Sequence, residues 1–272
     1  MTDVFDWQGK VGDVWAQEWQ RTDRSFSELT THLHASILSQ SPDSGRAVDI
    51  GCGAGETAIG LARAKPALSV TGIDLSADLL GIARSQAASD GNVDFVQGDA
   101  VAVAADFAPI DLYVSRHGVM FFDDPVAAFT TFRNAASQDG RIVFSCFRDW
   151  TLNGFAYEIS QLADNVAPKV GAPGPFEFAD RDKVARILAD SGWKYAEAEA
   201  VDFAYVAGKG EDPVSDAVSF MRRIGPASRT IADAADDRKP TLIDGLRRIC
   251  EQHRQGDRVA FPAAAWIWSA TA

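Results

Sequence analysis

Cysteine is scarce in this chain. Cys52, Cys146 and Cys250 are the only three in 272 residues, and no two form a C-x-x-C pair. An odd, scattered set excludes a disulfide framework and offers no zinc-site spacing, so no metal is expected and a reducing, cytoplasmic location is. Histidine is nearly as rare, with four residues, and His32 and His34 stand two apart, which places them on different faces of a helix. Long apolar runs are also missing. No segment stays apolar and uncharged for the roughly 18 residues a bilayer span requires. The first ten residues carry Asp3 and Asp6 instead of a basic stretch leading into an apolar one, so no secretory leader is expected. Positive charge is in deficit: 26 Lys and Arg face 38 Asp and Glu, a net charge of −12. Nucleic-acid binders concentrate basic residues against phosphates. Here the basic doublets Arg222-Arg223 and Arg247-Arg248 read as exposed turns of helices, so no nucleic-acid partner is expected. An acidic surface instead favours a cationic ligand.

What the chain does contain is an ordinary globular mixture, 46% hydrophobic and 24% charged, long enough for one large domain or a domain with a substantial insert. Residues 1–40 have helical periodicity, with Trp7, Trp15, Trp19, Phe26, Leu29, Leu33 and Ile37 recurring among polar residues. Short apolar strands then alternate with helices. Ala47 to Ile50, Leu68 to Asp74, Val93 to Val96, Asp111 to Ser115 and Arg141 to Phe147 read as strands. Helices are predicted from Glu56 to Ala64, from Ala77 to about Ala88 with Ser76 as N-cap, and from Pro125 to Ala136. This rhythm implies right-handed βαβ units and a parallel sheet. Beyond residue 150 it changes to a helix, a Pro/Gly-rich run (Gly171-Ala172-Pro173-Gly174-Pro175), a helix over 180–191, a strand over 194–207, a mostly helical 212–255 and a last strand over 264–270.

Chemistry concentrates at the strand ends. Val48-Asp49-Ile50-Gly51-Cys52-Gly53-Ala54-Gly55-Glu56 sets glycines at alternate positions just past a buried strand, letting the backbone pass close under a ligand. In open α/β sheets, ligands bind in that crevice. A dinucleotide turn needs a small residue at the sixth place of its glycine motif, and here that place holds Glu56. A bulky acid beside a pyrophosphate is a poor fit. Asp74 ends the second strand, where a carboxylate can accept from two ribose hydroxyls, and Asp99 follows the third, where one can accept from an exocyclic amine. Each acid alone is an ordinary turn or capping residue. The ordered set is far more specific.

Together with Gly72-Ile73-Asp74-Leu75-Ser76 and Val96-Gln97-Gly98-Asp99-Ala100, the glycine run resembles the class I S-adenosylmethionine-dependent methyltransferases, within them the small-molecule group of the ubiquinone/menaquinone-biosynthesis type. Residues 45–150 carry the resemblance most strongly. It implies an α/β, Rossmann-like, doubly wound seven-stranded sheet with the last strand antiparallel. It implies S-adenosylmethionine as cofactor, with Asp49, Gly51, Cys52, Gly53 and Gly55 along the methionine arm and Asp74 at the ribose. Leu75 would lie against the adenine, Asp99 and Ala100 at its edge, Ser115 and Arg116 beside the methyl group, and Trp15 over the site. The segment Val114 to Phe122 resembles one bacterial subgroup, in which Phe often stands at the place of His117, so no role for His117 is inherited.

The expected reaction is an in-line methyl transfer to a small, hydrophobic or aromatic acceptor. Met120, Phe121, Phe122, Phe147, Trp150, Phe155, Phe176, Phe178 and Phe220 supply apolar surface for it. His117, with Arg116 beside it, is the candidate catalytic residue, as a base titrating near neutrality. The expected organisation is an N-terminal helical cap over 1–44, the cofactor-binding core over 45–150, a cap insertion over 151–179, core again over 180–208, a helical insertion over 209–260 and the last core strand over 261–272. The apolar caps suit a homodimer and closure over a ligand equally. Three other readings stay open: a non-catalytic protein binding S-adenosylmethionine or S-adenosylhomocysteine, an NAD-dependent oxidoreductase, and a different reaction on the same cofactor.

Overall fold

Residues 7–162 and 173–272 are described by the computed structural model. Residues 1–6 of the expected N-terminal cap, and Gly171-Ala172 of the Pro/Gly-rich run, lie outside the described residues. The N-terminal periodicity resolves into three helices, α1 (Lys10–Gln17), α2 (Trp19–Ser25) and α3 (Ser27–Gln40). The breaks have local causes. Glu18 is drawn to the guanidinium groups of Arg21 and Arg223, and Ser25 bonds back to the Thr22 carbonyl at 2.7 Å, a competition that favours helix ends. Between α2 and α3, Phe26 turns its ring into the interior. Leu29, Leu33 and Ile37 of α3 follow at i, i+4 and i+8, and all three are buried on the sheet side.

The alternating part follows the expected order: β1 (Gly45–Ile50), α4 (Glu56–Ala64), β2 (Leu68–Asp74), α5 (Ala77–Gln86), β3 (Val93–Gln97), the single turn α6 (Ala100–Val103) and β4 (Ile110–Arg116). Then come α7 (Pro125–Ala135), β5 (Ala136–Phe147), α8 (Gly154–Ser160), α9 (Arg181–Asp190) and β6 (Lys194–Lys209). The chain closes with α10 (Pro213–Met221), α11 (Pro226–Asp233), α12 (Lys239–Gln252), β7 (Arg254–Gln255) and β8 (Arg258–Thr271). Ser76 caps α5 by accepting from the Leu79 amide, and Asp124 caps α7 ahead of Pro125.

The strands lie in the order β3-β2-β1-β4-β5-β8-β6, and β7 forms a short hairpin with β8. β1 to β5 pair in parallel, while β8 runs antiparallel to β5 and β6. The expected sheet with its antiparallel last strand is therefore present, with the two-residue β7 added. Strand order reverses between β1 and β4, the position where open α/β sheets bind ligands. Two strands begin earlier than the sequence suggests. β5 opens with a bulge: Ile110 faces Ala136 but Leu112 faces Arg141, so polar Ser137-Gln138-Asp139 is accommodated inside the strand. β8 starts at Arg258 and includes Pro262, which pairs with Ala204. β5 pairs with β8 only from Ala265 on, so the proline leaves no ladder bond unmade on that side.

Because α3 is built into the core, truncating its buried stripe should unfold the domain and not merely loosen a cap. Leu33→Ala is expected to cost about 2–5 kcal/mol in urea unfolding. Leu38→Ala, at a side chain 37% exposed on the same helix, should stay within about 0.5 kcal/mol. Equal effects would show that α3 is not part of the cooperative core.

Candidate functional site

The ends of β1, β2, β3 and β4 bring Gly51, Asp74, Asp99 and Arg116 to one edge of the sheet. The glycine turn is left-handed at Gly51, Gly53 and Gly55, with φ of 65°, 55° and 88°. The three glycines answer different needs. A Cβ at Gly51 would stand 3.1 Å from Gly118 Cα, and one at Gly55 would press on Ala83, Phe95 and Ile59 at 2.9–3.1 Å. A Cβ at Gly53 would meet nothing within 4 Å. The turn is therefore packed from below at Gly51 and Gly55 and opens onto free space at Gly53. Cys52 is buried beside it, and its amide donates to the Ile73 carbonyl at 3.0 Å.

Asp74 braces this turn. One carboxylate oxygen accepts from the Gly53 amide and the other from the Ser76 amide, both at 2.8 Å. Burial raises its pKa, and those backbone bonds pull it back. Each oxygen keeps a further lone pair for a ligand hydroxyl. Leu75, next in the chain, is half-buried. Asp99 is exposed and caps α6 by accepting from the Val101 amide at 2.9 Å, with Ala100 buried behind it.

Asp49 is different. It is 1% exposed, and among the described residues neither carboxylate oxygen has a hydrogen-bond partner. Burial pushes its pKa well above the usual carboxylate range. The Arg116 charge opposes that rise, Glu56 and Asp74 add to it, and the Ala58 amide pulls downward from outside hydrogen-bonding geometry. Arg116 itself is engaged on several sides. It reaches Asp23 at 2.5 Å, Thr30 at 3.1 Å and Glu56 at 3.4 Å, and lies over the Phe26 ring. Burial opposes its charge, but the carboxylates of Asp23, Glu56 and Asp49 outweigh that and hold its pKa up. Glu56 is also half-enclosed. Desolvation alone would raise its pKa, yet His34 and Arg116 lower it, so it stays ionised at the head of α4.

Ser115, fully buried, donates to the Ile50 carbonyl at 2.7 Å and accepts from the Gly118 amide at 3.1 Å. His117 lies in between with φ of 65°, a left-handed conformation that histidine tolerates better than most residues. Its Nδ1 is 2.7 Å from Ser145 Oγ, and its Nε2 is buried without a hydrogen-bond partner among the described residues. Burial, then the Arg116 charge, drives its pKa down to about 3. In this state the imidazole is neutral at ordinary pH and ill-suited to accept a proton there.

The aromatic residues sort into two groups. Phe147 contacts His117, Phe26, Phe155 and Phe176 at ring-centroid distances of 4.2–5.9 Å, and Tyr205 stacks on Phe155 at 4.2 Å. This group borders the end of β4. Phe122 and Phe178 instead pack with Phe129 in the core beneath α7. Trp15 stands over the glycine turn, packing with Trp19 on a small cluster of Ala16, Ala54 and Leu79. The sequence reading missed Asp23, Thr30, Ser145, Phe203 and Tyr205. A serine inside the apolar run Ile142 to Phe147 was the one visible signal among these.

Residues 47–140 match the family model described as a methyltransferase domain. The malonyl-[acyl-carrier protein] O-methyltransferase of Geobacter sulfurreducens is 27% identical over 59% of this chain and 60% of its own. Its namesake from Halalkalibacterium halodurans is 28% identical over 56% and 54%. The chain thus spans little more than half the length of these curated relatives. The demethylmenaquinone methyltransferase of Staphylococcus aureus is 30% identical over 36% of this chain and 41% of its own. Among solved structures, the YcgJ protein of Bacillus subtilis shares the fold with a TM-score of 0.56 at 18% identity, covering 88% of this chain and 97% of that one.

Two titrations follow from the buried groups. Asp49 has a raised folded pKa, so its stability contribution is intact below the unfolded value of 3.8 and is lost as pH rises through the folded value. Asp49→Asn should therefore melt higher than the parent at pH 7.5, by a few degrees for each kcal/mol regained, with the gap closing toward pH 4. A lower melting temperature at pH 7.5 would contradict an unpaired buried charge. His117 is the opposite case. Its pKa falls from 6.5 to about 3 on folding, so its stabilising share is complete above 6.5 and is lost as pH falls through about 3. Urea unfolding between pH 6.5 and 3 should show a shallower loss of stability in His117→Asn than in the parent.

Proposed function

As the chain belongs to the class I S-adenosylmethionine-dependent methyltransferases, we propose that it moves a methyl group onto a small, hydrophobic or aromatic acceptor. The observation that carries this reading is the pairing of an unpartnered buried carboxylate, Asp49, with a glycine turn open at Gly53. A buried carboxyl without a partner, two residues before that turn, would be relieved by a cationic ligand, and the methionine arm carries both an ammonium group and a sulfonium. Asp74, its oxygens fixed by two backbone amides, would take the ribose hydroxyls, and Asp99 with Ala100 the adenine edge. Leu75 and Trp15 would flank the bound cofactor, and Gly51 and Cys52 would form the floor. S-adenosylmethionine, when bound, supplies an activated methyl group on sulfur.

The chain's own residues then have a limited task. Transfer from an activated donor needs alignment more than acid–base help, and alignment is worth about 7–11 kcal/mol in favourable cases. Arg116 does not face the acceptor with a free charge. It ties α2, α3 and α4 to the end of β4 through Asp23, Thr30 and Glu56, and so fixes the wall of the site. We assign it a positioning role. The aromatic group around Phe147 keeps water from the acceptor side. Glu56, ionised at the head of α4, disfavours a pyrophosphate there and so weakens the NAD reading.

Calorimetric titration with S-adenosylmethionine, S-adenosylhomocysteine and NAD tests the assignment. Both sulfur ligands should bind, and Asp74→Ala should weaken them by roughly tenfold to a hundredfold, the worth of charge-assisted hydrogen bonds. Binding of NAD alone would overturn it. Among the described residues no helix is long and apolar enough to cross a membrane. The acceptor screen starts with small hydrophobic and aromatic molecules. Binding of the sulfur ligands with no turnover across that screen would favour a non-catalytic sensor.

A further inference from the structure

His117 is held with unusual completeness for a residue that leaves one nitrogen unused. Its backbone amide donates to the Ser145 carbonyl at 3.2 Å, its Nδ1 meets Ser145 Oγ at 2.7 Å, and its ring is clasped by Phe147 at 4.2 Å and Phe26 at 5.2 Å. The left-handed backbone between Ser115 and Gly118 fixes the direction of the side chain. Nε2, on the far side of the ring from Ser145, is buried and unpartnered.

The hydroxyl of Ser145 sets the tautomer. Ser145 is fully buried, and among the described residues its Oγ has no hydrogen-bond partner except His117 Nδ1. If Nδ1 carried the proton and donated it, the serine hydroxyl proton would have no acceptor and the Nε2 lone pair would also be unmet. If the serine donates, its proton is satisfied and Nδ1 accepts. The ring proton then sits on Nε2, and one group is left unmet instead of two. The unused group is an N–H donor.

We propose that His117 positions the methyl acceptor by donating a hydrogen bond from Nε2 to an oxygen of an uncharged, ring-bearing molecule, an inference that rests on reading this site as one of methyl transfer. The aromatic neighbours Phe26, Phe147, Phe155, Phe203 and Tyr205 are all buried, so the molecule they accept is apolar apart from the atom that meets the donor. That atom is not the one that attacks. A nucleophile needs its lone pair free for the methyl carbon, and a hydrogen bond to it would hold that pair back. The recognised oxygen is thus a neighbour of the reacting atom, a carbonyl or ether type. The depressed pKa of the imidazole agrees, because a neutral ring presents this donor throughout the physiological range.

Nitrogen-15 spectra of histidine-labelled protein decide the tautomer without any cofactor. The His117 resonances, identified by their loss in His117→Asn, should show Nε2 protonated and Nδ1 as acceptor, unchanged from pH 8 to 5. An Nδ1–H tautomer, or titration in that range, overturns the proposal. Acetophenone and ethylbenzene, alike except for the carbonyl, test the ligand class with and without S-adenosylhomocysteine. The ketone should bind about tenfold tighter and shift the Nε2–H signal. His117→Phe should abolish the preference while leaving S-adenosylhomocysteine affinity within about twofold, since the ring is retained but the donor is lost. His117→Asn, whose amide is a donor tolerant of left-handed backbone, should keep part of the preference if His117→Phe fails to fold. Equal affinity for the two probes in the parent protein overturns the proposal. Failure of S-adenosylhomocysteine to bind would count against the methyl-transfer reading, and the tautomer and the ketone preference would still be measurable on their own.

Discussion

The site hangs from the contact between the end of β1 and the end of β4, made by one serine hydroxyl. Ser115 Oγ donates to the Ile50 carbonyl and accepts from the Gly118 amide, which draws the two chain segments nearly into backbone contact. No side chain fits between them. A Cβ on Gly118 would lie 2.5 Å from the Ile50 oxygen, and one on Gly51 3.1 Å from Gly118 Cα. From this pinch the glycine turn opens on one side, onto the space above Gly53. On the other side His117 is forced into a left-handed conformation and its ring is turned toward the aromatic group. The open glycine turn and the placement of the His117 ring are therefore consequences of one local constraint, the Ser115 bridge.

Charge in this region is arranged around a single guanidinium. Arg116 faces Asp23, Glu56 and, at longer range, Asp49, and Asp74 is close enough to raise the Asp49 pKa. Three carboxylates around one arginine, with Asp74 near the third, leave this region acidic. Three of the four have hydrogen-bond partners, with Arg116, backbone amides or both within reach. Asp49 has none and bears the desolvation cost. On the reading proposed above, a bound cationic ligand would relieve that cost. His117, next to Arg116, is kept neutral chiefly by its own burial and secondarily by that positive charge.

Much of this was legible in the chain because it is written locally. β1 to β4, the cap at Ser76, the helix start at Pro125, the glycine turn and the strand-end acids all follow from short-range pattern and stereochemistry. What was hidden depends on partners distant in sequence. The polar start of β5 looks like a loop until Ile110 and Leu112 show that it bulges against β4. Pro262 ends a strand by local rules but is permitted in β8, because only β6 pairs with it at that point. Phe147 and Phe178 read alike in sequence, yet Phe147 borders His117 while Phe178 packs beneath α7. No periodicity separates them, since the distinction is which face of the sheet each meets.

The N-terminal segment shows how one stretch serves both core and site. α3 sinks Leu29, Leu33 and Ile37 into the main core, and Arg116 binds Asp23 of α2 and Thr30 of α3. α2 is further held by Arg24, which reaches Asp216 at 2.7 Å and the carbonyl of Ala207 at 2.7 Å. α1, the helix that stands over the glycine turn, is anchored otherwise. Val14 and Trp15 pack against the main core, Trp15 and Ala16 also meet the small cluster of Ala54 and Leu79, and Gly12 sits close to the Trp7 carbonyl and the Ser76 hydroxyl. α1 is thus held mainly by apolar packing, whereas α2, whose buried residues are Thr22 and Ser25, is held by ion pairs and hydrogen bonds. The break at Glu18 separates one mode of attachment from the other.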